Sequence, residues 1–306
     1  MEKKKLSPAT LCVQAGWTPS KGEPRVLPIY QSTTFKYDTS EQMARLFDLE
    51  DSGYFYTRLQ NPTNDAVAAK IAALEGGVGA MLTSSGQAAN FYAIFNICQA
   101  GDHFVCASTI YGGTFNLFAV TMKKLGIECT FVDINASEEE LQKAFQPNTK
   151  ALFGETISNP SIDVLDIEKF ARIAHKNGVP LIVDNTFATP INCRPFEWGA
   201  DIVTHSTTKY MDGHASCVGG AIVDSGNSIG LHSYTHDYAQ IYASVENFEA
   251  DINRISDTVY EATGVRTMLY RFPGGSSNSI ADDIYVFTKY LTEHGYTYYD
   301  WNSSSR

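Results

Sequence analysis

Short apolar runs alternate with amphipathic stretches along most of the chain. Runs rich in β-branched and aromatic residues predict strands, and apolar positions at helical spacing predict helices. The predicted strands are Gly79–Thr83, His103–Cys106, Glu128–Val132, Ala151–Glu155, Leu181–Asp184 and Ile202–Thr204. The helices between them are Ala66–Leu74, Ala88–Cys98, Phe115–Leu125, Ser137–Phe145 and Ile167–Asn177, of which the fourth carries a Ser137/Glu140 capping box. This alternation predicts an α/β domain with a mostly parallel sheet covered by helices on both faces.

The composition of the chain changes near residue 227. All six cysteines precede residue 218, whereas ten of the 17 tyrosines follow residue 227. The polar run Asp224–Ser228 predicts a turn at this point, and Val245–Thr263 beyond it predicts a helix. We therefore expect three regions: an irregular, partly helical N-terminal arm over 1–60, the α/β domain over 61–227 and a separate region over 228–306.

Charge and composition narrow the class of protein. The net charge of -11 argues against nucleic acid as a partner, because phosphate-binding surfaces are usually basic. No apolar run is long enough for a membrane span or a secretory signal, and the cysteines form no C-x-x-C pair. We expect a cytoplasmic protein with free thiols.

Two polar residues follow predicted strands, at the edge where parallel sheets bind ligands. Asp184 ends an apolar strand; it fits a turn or helix cap, or an acid that keeps a pyridinium nitrogen protonated. Lys209 lies among hydroxyls in His205–Tyr210; it fits a solvated surface lysine, or an amine that forms a Schiff base beside a phosphate site.

Three further segments carry candidate binding groups. Thr83–Ala89 runs from a strand into a helix start and predicts an anion site. Tyr111–Thr114 pairs an aromatic ring with two glycines, which suits stacking on a cofactor. Tyr54–Thr63 contains Arg58, which could grip a phosphate. Each segment taken alone also fits an ordinary turn or surface arm.

Together and in this order, the five segments resemble those of the Cys/Met-metabolism family of enzymes that depend on pyridoxal 5'-phosphate (PLP). This is the transsulfuration group, with the aspartate-aminotransferase fold (fold type I). The resemblance covers about residues 6–227. Leu11–Phe35 and Gly53–Thr63 look most like the O-acetylhomoserine sulfhydrylases, with cystathionine γ-synthases and methionine γ-lyases as near neighbours.

The resemblance implies a role for each matching residue. Lys209 is implied to be the Schiff-base lysine that also moves protons, Asp184 the partner of the pyridinium nitrogen, and Tyr111 the residue stacked on the ring. Asn159 is implied to lie near the cofactor and help fix the substrate carboxylate. The phosphate ligands implied within the subunit are Gly86, Gln87, Ser206 and Thr208. Tyr56 and Arg58 are implied to reach the phosphate of a neighbouring subunit, so the resemblance implies a homo-oligomer formed through the arm.

The implied reaction is γ-elimination of acetate from O-acetyl-L-homoserine followed by addition of sulfide, which gives homocysteine. The family has a second domain that supplies an arginine for the substrate carboxylate. We expect that domain to be absent after Asn227, which leaves the cofactor-binding part without this arginine and makes the competence of the chain uncertain.

The region over 228–306 resembles a fragment of the polysaccharide deacetylase family, an incomplete barrel-like α/β unit. The motifs are Gly230–Asp237, Tyr270–Gly275 and Tyr299–Trp301. His232 and His236, four residues apart, suit a zinc pair at helical spacing. The implied orienting residues are Arg271, Pro273, Asp300 and Trp301. Two alternatives to a PLP enzyme therefore stay open: a zinc-dependent deacetylase of peptidoglycan- or chitin-type sugars, and a non-functional chimera.

Overall fold

The computed structural model describes residues 6–48, 51–226, 231–263, 266–273 and 284–299. The chain forms two compact units, Met1–Gly226 and Asn227–Arg306, and each has its own apolar core. Within the described ranges, no helix combines the length and apolar character needed to cross a bilayer.

The first unit begins with an arm that carries two short helices, and an α/β body follows. Its helices are α1 (Pro8–Gln14), α2 (Ser40–Phe47), α3 (Pro62–Glu75), α4 (Gly86–Phe95), α5 (Gly112–Asn116), α6 (Glu138–Lys143), α7 (Ile167–Lys176) and α8 (Thr189–Asn192). Its strands are β1 (Gly79–Thr83), β2 (His103–Ala107), β3 (Glu128–Val132), β4 (Thr149–Glu155), β5 (Leu181–Asp184), β6 (Ile202–His205) and β7 (Gly220–Asp224).

The seven strands form one sheet in the order β1-β7-β6-β5-β4-β2-β3. The strands from β6 to β3 are parallel, and β7 pairs antiparallel with both β1 and β6. The prediction of a mostly parallel sheet is confirmed. The central strands are buried, and β2 and β5 show no exposed residue, because helices cover both faces of such a sheet.

Several predicted elements differ at their ends. The helix predicted over Ala66–Leu74 already begins at Pro62, because Asn61 caps it by accepting the Thr63 N–H at 2.9 Å. The helix predicted over Phe115–Leu125 is α5 continued by a π-helical turn over Leu117–Met122. The Ser137/Glu140 capping box is confirmed, since each side chain accepts the other's backbone N–H.

The second unit contains helices α9 (Tyr238–Ile241), α10 (Val245–Thr263) and α11 (Ile284–Glu293). The helix predicted over Val245–Thr263 is confirmed at both ends. Strands β8 (Leu269–Arg271) and β9 (Thr297–Tyr299) pair in parallel, and Leu231 adds one parallel bridge to Tyr270. The buried side chains of this unit pack into one cluster: Leu231, Ile241, Tyr242, Phe248, Ile252, Tyr270, Phe272, Phe287 and Leu291.

Candidate active site

The ends of three adjacent parallel strands carry polar side chains in pairs. In-register pairing places Glu155 of β4 beside Asp184 of β5, and Asp184 beside Thr204 of β6. Successive side chains of a strand point to opposite faces of the sheet. The first member of each pair therefore faces one side and the second member the other. The pairs are Glu155–Thr156, Asp184–Asn185 and Thr204–His205.

On the first side, Asp184 is buried and its carboxylate has a fixed orientation. Asn90 of α4 donates from Nδ2 to Asp184 Oδ2 at 2.9 Å. Thr186 donates both its backbone N–H and its hydroxyl to Oδ1, at 3.0 and 2.5 Å. Thr204 donates its hydroxyl to Asn90 Oδ1 at 2.6 Å, which orients that amide. A carboxylate held in this way is suited to face a cationic ring nitrogen.

On the opposite side, the Glu75 carboxylate at the end of α3 joins two strand ends. Its Oε1 accepts Asn185 Nδ2 at 2.8 Å and lies 2.6 Å from His205 Nε2. Asn185 Oδ1 in turn accepts the Thr156 hydroxyl at 2.9 Å. The Glu75 and His205 side chains are completely buried. This network fixes the backbone next to Asp184 and next to the segment that carries Lys209.

The start of α4 provides an anion site. Ser85 caps the helix, since its hydroxyl accepts Ala88 N–H and its carbonyl accepts Ala89 N–H. Among the described contacts, the N–H groups of Gly86 and Gln87 are those left at this helix start. A Cβ at Gly86 would lie 2.4 Å from the Ser206 Cβ, so only glycine allows this approach. The Ser206 hydroxyl therefore lies beside the positive end of a helix dipole, which suits a phosphate.

The segment after β6 presents Lys209 on a pinned turn. Ser206 donates its N–H to Thr186 Oγ1 at 2.7 Å, and Lys209 donates its own to Ser206 O at 3.2 Å. The Thr208 hydroxyl bonds to the carbonyl and the N–H of Gly219 at 3.1 and 3.0 Å, so it ties the turn to the residues before β7. The Lys209 side chain is exposed. Its amine is thus free to reach the edge of the sheet.

Tyr111 lies at the start of α5 and is half exposed. Its N–H donates to Glu155 Oε2 at 2.7 Å, and Gln87 Nε2 donates to the Gly113 carbonyl at 2.6 Å. A Cβ at Gly113 would lie 2.5 Å from Tyr111 Cε1, so the missing side chain gives the aromatic ring its room. The Gln87 side chain therefore helps to place Tyr111, while the Gln87 backbone N–H lies at the anion site.

Burial raises the pKa of Glu155 to about 8. The negative charge of Asp184 adds to this shift, while the hydrogen bond from Tyr111 opposes it. Glu155 therefore holds a proton at neutral pH.

Three residues expected from the sequence lie apart from this cluster. Tyr56 and Arg58 are exposed on the arm. The Arg58 guanidinium lies 5.3 Å from the centroid of the Tyr56 ring, and the Tyr56 backbone forms an isolated antiparallel β-bridge with Thr34. Asn159 is exposed on the loop after β4, at the same edge of the sheet as Asp184. Tyr56 and Arg58 remain candidates for a site completed by a second copy of the chain.

The sequence analysis did not single out several supporting residues. His205 lies inside the segment His205–Tyr210, and Thr186 lies two residues after Asp184. Asn90 lies one helical turn after Gly86, so helix periodicity could have found it. Glu75 and Glu155 carry no local signal, because their partners are brought to them only by the sheet.

In the second unit, His232 and His236 lie close together, but not on a helix as the spacing suggested. Residues 232–237 form an irregular loop, and the ring centroids are 5.2 Å apart. His232 Nδ1 lies 3.0 Å from the Arg271 carbonyl, and burial lowers the pKa of His232. Within the part of the chain that the structure describes, no group of three or more His, Cys, Asp or Glu residues could hold a metal. Asp300 and Trp301, and the glycines of Tyr270–Gly275, lie outside that part.

Comparison with known proteins assigns the chain to a family. The model of the Cys/Met metabolism PLP-dependent enzymes matches residues 9–295. The match extends well beyond residue 227, where the sequence placed the end of this resemblance. None of the comparisons supports the resemblance to polysaccharide deacetylases or the barrel-like fragment expected from it.

Relatives of known name and fold agree with that family. The chain is 52% identical over 202 residues to an O-acetyl-L-homoserine sulfhydrylase of Corynebacterium glutamicum, covering 66% of this chain and 46% of that protein. It is 43% identical over 259 residues to a homocysteine/cysteine synthase of Saccharomyces cerevisiae, covering 84% and 58%. The chain thus spans about half the length of the curated relatives it matches.

A solved structure shares the fold of the chain. It is a putative O-acetylhomoserine (thiol)-lyase of Campylobacter jejuni that contains N'-pyridoxyl-lysine-5'-monophosphate. It superposes with a TM-score of 0.70 at 38% identity, over 72% of this chain and 54% of that one. The mostly parallel mixed sheet is therefore that of the fold type I PLP enzymes.

Proposed function

The chain belongs to the Cys/Met-metabolism family of PLP-dependent enzymes, and from this premise we propose that it replaces the acetate of O-acetyl-L-homoserine with sulfide. The Cγ–O bond of the substrate breaks and a Cγ–S bond forms. The products are homocysteine and acetate. The names of the related sulfhydrylases and synthases support sulfide as the group that replaces acetate at Cγ.

The observation that carries this proposal is the convergence of three groups at one edge of the sheet. Asp184 is oriented by three donated hydrogen bonds, the start of α4 lies against Ser206, and Lys209 is exposed on the turn that follows. These groups match the ring nitrogen, the phosphate and the aldehyde of PLP. The residues present therefore fit this cofactor.

The roles of the residues follow from their chemistry. PLP, when bound, delocalises the negative charge left at the substrate Cα. Asp184 keeps the ring nitrogen protonated, and Tyr111 covers the ring. The Lys209 amine accepts the Cα proton and can return it at a neighbouring carbon. Asn159 is proposed to contact the substrate carboxylate.

The test is the visible absorption of the full chain titrated with PLP, before and after borohydride. We expect a band that borohydride traps on Lys209 and that Lys209→Ala lacks. Lys209→Arg is the matched control, since it keeps the positive charge but forms no Schiff base. A band that persists in both variants would refute the assignment of Lys209.

The chemistry is then tested with O-acetyl-L-homoserine in the presence and absence of sulfide. Homocysteine that appears only with sulfide supports the proposed substitution. Release of α-ketobutyrate without sulfide would instead identify a γ-lyase. Bound PLP with neither product would limit the chain to cofactor binding.

We also propose that the arm mediates a homo-oligomer. Val13, Val26 and Ile29 are more than three-quarters exposed, although apolar side chains are normally buried. Tyr56 and Arg58 lie on the same arm, where a second subunit could receive them. Light scattering of the wild type and of Ile29→Asp tests this proposal, which predicts a lower mass for the variant.

Zinc at His232 and His236 and a deacetylase activity are not proposed. The comparisons do not support them. Within the described residues, no third His, Cys, Asp or Glu joins the two histidines in a metal-binding group.

A further inference from the structure

Glu155 is a buried acid at the centre of the candidate site, and the proposed reaction assigns it no role. It is the last residue of β4 and only 4% exposed. Its Oε2 accepts the Tyr111 N–H at 2.7 Å. It therefore anchors the backbone of the residue that is proposed to cover the ring of the cofactor.

The sheet places a second carboxyl group directly beside Glu155. The in-register parallel pairing of Glu155 with Asp184 puts both side chains on the same face, on strands about 4.8 Å apart. Two buried carboxyl groups at that spacing do not both ionise readily, because each negative charge disfavours the other. Asp184 accepts three hydrogen bonds, whereas the described contacts give Glu155 one. The proton of the pair is therefore held by Glu155.

The surroundings of Glu155 agree with this distribution of the proton. The ionisable groups whose charges reach it are Asp184 from β5 and Cys106 from β2, while Tyr111 contributes its backbone N–H. A carboxyl group and a thiol are either neutral or negative, so neither favours ionisation of Glu155 by its charge. Burial and Asp184 together raise the pKa of Glu155 to about 8.

We propose that Glu155 is a positioning residue with two linked functions. It fixes Tyr111 at the site through its backbone N–H, and it carries the proton of the buried carboxyl pair that it forms with Asp184, so that release of this proton changes the charge beside Asp184. This inference rests on the proposed cofactor site for its first function only. The second function, which concerns the proton on Glu155, does not depend on the cofactor.

Two substitutions separate the functions. Glu155→Gln keeps the side-chain volume and an oxygen that accepts the Tyr111 N–H, but it has no proton to release. Glu155→Leu removes both the acceptor and the proton. Glu139→Gln is the matched control, because it makes the same chemical change at an exposed position of α6, away from the site.

The decisive measurement is a potentiometric titration of the full chain between pH 6 and pH 10, without cofactor. The wild type and Glu139→Gln should release about one proton more than Glu155→Gln, with a midpoint near pH 8. A purely structural role would not produce this difference. Superimposable curves for the wild type and Glu155→Gln would overturn the proton-holding function.

PLP titrations at pH 6 test the positioning function. Glu155→Leu should bind PLP about tenfold more weakly than the wild type, because the Tyr111 N–H loses its acceptor and the ring its anchor, and Glu155→Gln should stay within about threefold. Circular dichroism of each variant checks that it is folded. Equal affinity of folded Glu155→Leu and wild type would refute the anchoring of Tyr111. If the wild type binds no PLP, the proposed function fails and the positioning function fails with it, whereas the proton titration is still decided on its own.

Discussion

Removal of the Glu75 carboxylate should destabilise the first unit more than the change in side-chain size alone would do. In Glu75→Ala, His205 loses its 2.6 Å partner and Asn185 loses the acceptor of its amide N–H at 2.8 Å. Both side chains remain buried, at 1% and 0% exposure, so water cannot easily replace the lost oxygen. The polar groups that remain then carry the cost of desolvation without compensation.

The size of the effect follows from this geometry. A buried donor left without its acceptor costs about 1–3 kcal/mol, so the loss of both acceptor contacts in Glu75→Ala should cost about 2–6 kcal/mol. Glu75→Gln keeps one oxygen for the two donors and should cost only about 1–2 kcal/mol. The two variants together separate the loss of the acceptor from the loss of the carboxylate.

The assay is urea unfolding followed by tryptophan fluorescence. Trp17 and Trp198 report on the first unit. Asn64→Ala, at an exposed position of α3, is the control for any change in helix stability. A free energy of unfolding for Glu75→Ala within about 1 kcal/mol of this control would refute the reasoning. It would show that the network between α3 and the strand ends does not stabilise the fold.

Three further outcomes follow from the same structure. Glu155 binds its proton more tightly in the folded chain, where its pKa is about 8, than in the unfolded chain, where the ordinary pKa is 4.5. The stabilisation of the fold by this bound proton is therefore complete below pH 4.5 and is lost as the pH rises to 8. Urea unfolding of Glu155→Gln should therefore lack this decline, which amounts to at most about 5 kcal/mol in the wild type. Gly86→Ala should weaken PLP binding at least about tenfold, because the new Cβ would lie 2.4 Å from the Ser206 Cβ, whereas Gly79→Ala meets no atom within 4 Å and should leave binding unchanged. Ser137→Ala removes the capping box of α6 and should lower the free energy of unfolding by about 1 kcal/mol, measured by the same urea titration; no change would mean that the cap is not needed.

Much of the candidate site could be predicted from local sequence patterns. Asp184, Ser206 and Lys209 follow apolar strands, and the ends of parallel strands share one edge of a sheet, so short segments were enough to bring them together. The expectation that Gln87 lies at a helix start is likewise local, since capping depends on a few consecutive residues. The same short segments carry the resemblance to the Cys/Met-metabolism family.

Predictions failed where the deciding partner lies far away in the chain. The strand Gly220–Asp224 was not predicted, because its place between β1 and β6 depends on backbone hydrogen bonds to both neighbours. The helical spacing of His232 and His236 was misleading, because the segment forms a loop with left-handed backbone at His236. Periodicity cannot detect such a departure from the regular helix.

The sequence by itself determined the order along the chain of strands β1 to β6 and of most of the helices among them, the capping box of α6 and the segments that meet at the candidate site. These features depend on hydrophobic periodicity and on contacts within a few residues, which the chain carries locally. Only the tertiary structure decided that Glu75 meets His205, 130 positions away, and that Glu155 lies beside Asp184. The physical reason is that strand register and helix docking are set by packing and hydrogen bonding across the whole sheet, so the environment of a buried acid exists only after the sheet has formed.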